Sequence, residues 1–154
     1  MIKLKNEYIK LNEKDLVLVG GKAGIGKTRF IVNEVNNSQI DNKVLFLSLE
    51  KNMDELSYDY NIQKTNNLTI INQELELEEK LQNKEYDYVY IDHLSLLKNV
   101  TIETLVNYIE NYNIKVFVTD FIKINEKDDK YLDDKYKLLT SIYILKEEEL
   151  KKLK

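Results

Sequence analysis

The chain has 154 residues, a net charge of −4, no cysteine and a single histidine. Those figures exclude a disulfide framework, a thiolate metal site and a multi-histidine metal cluster, and the acidic balance argues against a generally basic nucleic-acid binder. With 43% hydrophobic and 32% charged residues, the sequence reads as one globular domain over residues 1–154, long enough to bury about 70% of its unfolded surface. Its apolar runs are too short to span a bilayer. Its amino terminus has no signal-peptide core, so a cytoplasmic location is the default expectation.

In chain order, residues 2–10 alternate weakly and predict an edge strand or hairpin. Residues 15–19 (Asp-Leu-Val-Leu-Val) form a strand-length run, apolar after its first residue and closed by Gly20-Gly21. A run buried on both faces belongs in a parallel sheet. A helix is expected over 27–36, a buried strand over 43–48, a short helix over 53–60 and a strand over 68–71. Residues 73–83 suit a surface helix, with Leu75, Leu77 and Leu81 among acids. Tyr86 to Ile91 reads as a strand ending in Asp92. Ile102, Leu105, Val106 and Ile109 have helical spacing, and 114–118 is a strand running into Thr119-Asp120. Residues 125–137 read as a charged loop, 141–145 as a last strand, and Glu147 to Lys154 as a solvated helix face. Strands separated by helix-sized segments predict a three-layer α/β domain with a mainly parallel central sheet.

Between the first buried strand and the first helix lies Gly21-Lys22-Ala23-Gly24-Ile25-Gly26-Lys27-Thr28, which fits G-x-x-x-x-G-K-[ST], followed by Arg29. In that strand–turn–helix context the pattern is a P-loop. Its glycines let backbone N–H groups turn inward on phosphates, and the start of the helix adds its positive end. The expected ligand is a nucleoside triphosphate, ATP with Mg²⁺ in the first instance. Lys27 is expected to reach the β- and γ-phosphates, and Thr28 to offer its hydroxyl to the metal. Asp92, at the carboxyl end of a strand, lies where open parallel sheets bind ligands. It is expected as a second metal group, the alternative being a cap on the following helix. Hydrolysis needs a carboxylate to take a proton from water, and two acids stand at the same edge, Glu50 and Asp120.

Leu47-Ser-Leu-Glu50, placed after the P-loop helix and followed by Met53-Asp-Glu-Leu56, resembles the RecA/DnaB-type ATPases, above all the carboxyl-terminal ATPase domain of replicative DnaB helicases. Leu11 to Leu16, Asp92-His-Leu94 and Ser141 to Leu145 extend the resemblance over most of the chain. It implies a RecA-like fold, ATP hydrolysis with Glu50 as base, and a place in DNA replication or recombination. A homo-oligomer or a replication protein would be the partner.

The sequence also departs from that pattern. Thr119-Asp120-Phe-Ile-Lys123 stands where the family has Ser-Gln-Leu-x-Arg, and an ionised Asp120 neither donates a hydrogen bond nor favours a phosphate. The family's DNA-binding loops are reduced to Lys98-Asn99-Val100 and to residues 123–137, where five lysines face five acids. That balance gives a phosphate backbone no net attraction, and DNA binding is left open. The tail 146–154 stands where the family continues into a hairpin carrying an arginine finger, and it has no arginine. Lys146 is a weak substitute, and Arg29, the one arginine, lies behind Thr28. The expectation is a minimal ATPase, slow alone and not a processive helicase; the alternative is a nucleotide-dependent interaction protein with little hydrolysis. His93 reads as a structural neighbour of Asp92. Tyr86, Tyr88 and Tyr90 read as alternating on one strand face, and Tyr58 and Tyr60 as a small packing cluster.

Overall fold

A computed structural model describes residues 2–3, 8–121, 137–147 and 149–154; the expected charged loop, with Lys123, falls almost wholly outside them. The strands are β1 (Ile2–Lys3), β2 (Leu16–Gly21), β3 (Val44–Ser48), β4 (Leu68–Ile71), β5 (Tyr88–Asp92), β6 (Lys115–Phe121), β7 (Ser141–Lys146) and β8 (Glu149–Lys152). The helices are α1 (Lys27–Ser38), α2 (Met53–Tyr58), α3 (Leu75–Leu81) and α4 (Ile102–Tyr112), with one 3₁₀ turn at Leu94–Leu96. The strands form a single sheet in the order β1-β8-β7-β2-β6-β5-β3-β4. From β7 to β4 every pairing is parallel; β8 runs antiparallel to β7 and β1 antiparallel to β8.

The alternation along each strand explains the two layers on the sheet. Leu16, Leu18, Leu45, Leu47, Val89, Ile91, Val116 and Val118 face one way and bury Leu77 and Leu81 of α3 with Leu105 and Ile109 of α4. Val17, Val19, Val44, Phe46, Tyr90 and Phe117 face the other way and cover Ile31, Val32 and Val35 of α1 with Leu56 of α2. Each fully buried aliphatic side chain is worth about 1.5–3 kcal/mol, so both faces of β2, β3, β5 and β6 hold the sheet in one register.

Two expectations fail here. The tail is not a helix face, because residues 149–152 pair with β7 and β1. Leu150 and Leu153 are three apart, which suits a helix, but in an extended chain an odd spacing sends them to opposite faces. Leu150 enters the cluster under α1 and Leu153 packs against the other. Likewise the three tyrosines do not share a face. The strand begins only at Tyr88, and Tyr86 lies before it in the α3/α4 layer while Tyr88 and Tyr90 face α1.

One acid is buried in the α1 layer. Glu34 is 3% exposed and accepts a hydrogen bond from the Ile9 amide at 3.2 Å. Burial pushes its carboxyl up to about 8, against the opposing effect of that bond.

Candidate functional site

Parallel register brings the carboxyl ends of four strands to one edge. Gly20 and Gly21 of β2 lie beside Asp120 and Phe121 of β6, and Ser48 of β3 lies beside Asp92 of β5. The glycine loop leaves β2 at this edge. Gly24 has φ +77 and Gly26 φ +106, values that only glycine adopts without cost, and a Cβ on either would meet nothing within 4 Å. Gly21 is required for a different reason. A Cβ there would lie 2.8 Å from Ile25 Cγ2 and 3.2 Å from the Leu145 carbonyl oxygen, so its role is close packing on β7.

The helix start is unusual for what it lacks. Gly26 is the N-cap of α1, no side chain caps the first turn, and no acidic residue stands there. The first four N–H groups of a helix have no acceptor within it, and here the residues that carry them, Gly26 to Arg29, line one cavity. Lys27 folds over the loop, its Nζ donating to the carbonyl oxygens of Gly21 at 3.0 Å and Lys22 at 2.9 Å and lying 5.6 Å from the centre of the Phe121 ring. Burial lowers its pKa, and the charges of Asp92, Glu50 and Asp120 oppose that shift.

Beside the loop, Thr28 Oγ1 donates to Asp92 Oδ2 at 2.9 Å. Thr119 Oγ1 donates to Asp92 Oδ1 at 2.6 Å and accepts from the His93 amide at 2.9 Å. Asp92 is 2% exposed and ends β5; it caps no helix, because the following 3₁₀ turn has His93 at its N-cap without a side-chain cap bond. His93 Nδ1 lies 3.1 Å from Glu50 Oε1, and His93 Nε2 lies 3.7 Å from Asp120 Oδ1.

The two candidate acids are held differently. Asp120 Oδ1 accepts from the Ser95 amide and hydroxyl and from the Phe121 amide, which turns it into the 3₁₀ segment. Glu50 is the more exposed of the two, and the one hydrogen-bond contact of its carboxylate among the described residues is with His93.

These groups enclose a cavity of about 440 Å³, within the range of small-molecule sites. Ala23, Gly24, Gly26, Lys27, Thr28, Arg29, Glu50 and Asp92 line it, joined by Lys51, Tyr60, His93 and Phe121. Of the residues expected at the site, Gly21 lies buried behind the loop, Ile25 packs into the α1 layer, and Lys22 offers only its carbonyl to Lys27. Arg29 is exposed and sits over the Tyr60 ring at 5.5 Å. Tyr58 is 86% exposed, so the expected packing of Tyr58 with Tyr60 does not form; α2 turns only Leu56 inward.

Outside the cavity, the Lys98-Asn99-Val100 segment is tied down. Their three amides donate to the Glu74 carboxylate at 3.0, 2.8 and 2.6 Å. Burial acts to raise the Glu74 pKa, but these bonds outweigh it and hold the carboxyl below its ordinary range. Lys146 is half-buried at the end of β7, opposite Glu149 in the β7–β8 hairpin. The sequence shows the glycine loop, Glu50 and Asp92 by motif; it gives no sign that Thr119 bridges Asp92 to the His93 backbone, or that Phe121 covers Lys27.

Among the described residues no helix is long and apolar enough to cross a membrane. No protein-family model matches the sequence, and no curated protein matches it. Among solved structures, the chain is similar to a DnaB-like replicative helicase whose structure was determined together with its interactions with primase. The TM-score is 0.61 at 14% identity, covering 85% of this chain and 46% of the helicase chain. The protein therefore spans about half the length of that helicase, and the likeness is one of fold: a mixed α/β domain, consistent with the RecA-like arrangement, with a mostly parallel sheet.

Proposed function

We propose that this protein is a minimal RecA-like ATPase that binds ATP with Mg²⁺ at the glycine loop and hydrolyses it slowly. The observation that carries the reading is the unfilled start of α1: uncapped N–H groups and the Lys27 ammonium beside the Thr28–Asp92 pair, all on one cavity. Such a site asks for a polyanion. Among the described residues no three His, Cys, Asp or Glu side chains gather to hold a metal. Thr28 and Asp92 alone suit Mg²⁺, which takes few protein ligands and completes its shell with phosphate oxygens and water. Bound there, the ion would neutralise charge on the β- and γ-phosphates.

In this reading Lys27 leaves the loop carbonyls for the phosphates, and the amides of residues 24–28 receive their oxygens. Glu50 accepts a proton from the attacking water as its oxygen bonds to the γ-phosphorus. The bond from that phosphorus to the β–γ bridging oxygen breaks, releasing ADP and phosphate. Asp120 is a poorer base, because it does not line the cavity and three donors already occupy its Oδ1. Arg29 is engaged with Tyr60 in the same chain, so a charge from a partner would be needed for fast turnover. A role beside a replication or recombination protein follows from the fold likeness by analogy.

Calorimetry and steady-state turnover test the reading. MgATP should bind wild type. Lys27→Ala should weaken binding by about 100-fold, the loss of charge-assisted hydrogen bonds being worth about 3 kcal/mol. Glu50→Gln should bind normally and turn over about 10²-fold or more slowly. Tight binding without any wild-type turnover would instead favour a nucleotide-dependent interaction protein. No heat with ATP or GTP would sink both.

A further inference from the structure

His93 is not part of the phosphate loop, yet its ring stands between two acids, 3.1 Å from Glu50 and 3.7 Å from Asp120. The three residues come from three neighbouring strand ends: Glu50 just after β3, His93 just after β5, and Asp120 within β6. Side-chain exposure falls along the series, from 42% for Glu50 to 18% for His93 and 8% for Asp120. Asp120 is the fixed end, held by Ser95 and Phe121. Glu50 is the free end, on a flexible side chain with no other hydrogen bond among the described residues.

The backbone of His93 is bent to make this link. Its φ is +82 and its ψ +81, a conformation costly for a residue with a Cβ. The bend is held by the bond from the His93 amide to Thr119 Oγ1, which itself donates to Asp92. A carboxylate only accepts, so a hydrogen bond from His93 to Glu50 at this distance requires the tautomer with its proton on Nδ1.

From this we infer that His93 is a positioning residue, its backbone held by Thr119, that keeps the Glu50 carboxylate at one place beside the glycine loop. The inference rests on the proposed hydrolysis for its kinetic consequence, though the linkage is a property of the chain itself. Placing a base is worth as much as supplying one, because a misplacement of about 1 Å costs about 10²-fold in rate.

Two measurements test it at fixed pH. His93 is the only histidine, so the ring nitrogens of the whole protein give one pair of nitrogen-15 signals. In wild type without nucleotide, Nδ1 should carry a proton sheltered from solvent exchange. Glu50→Ala should lose that proton signal. The second measurement is turnover of His93→Gly, in which glycine suits the positive φ and the missing ring leaves room for free imidazole. Its kcat should fall about 10²-fold with KM for ATP changed less than about twofold, and added imidazole should restore it. His93→Asn, which tolerates the same backbone and keeps an N–H donor near Nδ1, should fall between the two.

An Nδ1 signal indifferent to Glu50→Ala would overturn the linkage. A His93→Gly enzyme as fast as wild type, or one that imidazole leaves unrestored, would overturn the positioning role. If wild type shows no turnover at all, the ATPase reading fails and the nitrogen-15 result alone decides whether His93 holds Glu50.

Discussion

The helices α1 and α4 begin at the same edge of the sheet in opposite electrostatic condition. The start of α4 is satisfied several times over. Thr101 and Thr104 form a reciprocal capping box and Glu103 stands in the first turn, while Glu74 receives the three amides just before it. The start of α1 has no cap and no acid. Both ends carry the same partial positive charge, so the difference lies in whether the chain supplies its own anion. Where it does, the result is a closed loop. Where it does not, an external anion has to supply it. The nearest buried acid on α1 is Glu34, on the third turn, too far along to serve.

The strongest way to break this comparison is to give α1 the acid it lacks. Arg29 is the third residue of the helix and exposed, so Arg29→Glu places a carboxylate at the capping-box position. A like-charge pair about 5 Å apart costs about 3 kcal/mol at an effective dielectric constant of 20. The Kd for MgATP should therefore rise by about 100-fold in calorimetry. The free protein should gain about 0.5 kcal/mol from its charge at the helix start, seen as a higher urea midpoint. Opposite signs in ligand affinity and free stability mark a start reserved for a ligand; a loss of both would mean that Arg29 is structural.

The acid α1 does carry gives the next effect. The Glu34 carboxyl is pushed up to about 8 by burial, so between its ordinary value and that point the folded state binds a proton that the unfolded state has released. Stability then falls as pH rises. From pH 6 to pH 8 the loss is about 2 kcal/mol. Glu34→Gln keeps a carbonyl oxygen for the Ile9 amide and removes the titration. Urea unfolding should show a flatter pH profile for the variant, which becomes the more stable protein at pH 8. Parallel profiles would mean that Glu34 is solvated in solution.

Much of this contrast is legible in the sequence, and the reasons are local. Leu16 to Val19 and Val116 to Val118 are apolar on both faces, as a buried parallel strand requires. The glycine loop carries its own context of strand before and helix after. What escaped depends on residues distant in sequence. Thr119 and Asp92 are 27 positions apart and meet because β6 pairs with β5. Glu74 reaches 98–100 across the connection around β5, and no pattern in 73–83 distinguishes it from the other acids of that helix. The tail misled because Leu150 and Leu153 fit a helix turn as well as the two faces of a strand; only the unpaired edge of β7 decides between them.

The smallest effect is the mirror of the first, removing the acid that α4's approach possesses. Glu74→Ala leaves the amides of Lys98, Asn99 and Val100 without their acceptor. The Glu74 carboxylate is solvent-screened, so the three bonds together hold the loop closed by only about 1.4 kcal/mol, in keeping with ordinary hydrogen bonds in water. Local opening should become about tenfold more frequent, and these amides should exchange with deuterium about tenfold faster. The capping box at Thr101 and Thr104 is untouched, so the amides of α4 beyond it should keep their protection. MgATP affinity should not change, since Glu74 lies outside the cavity. Unaltered exchange at 98–100 would mean that the loop closes without the carboxylate, and the contrast between the two helix starts would then reduce to the capping box alone.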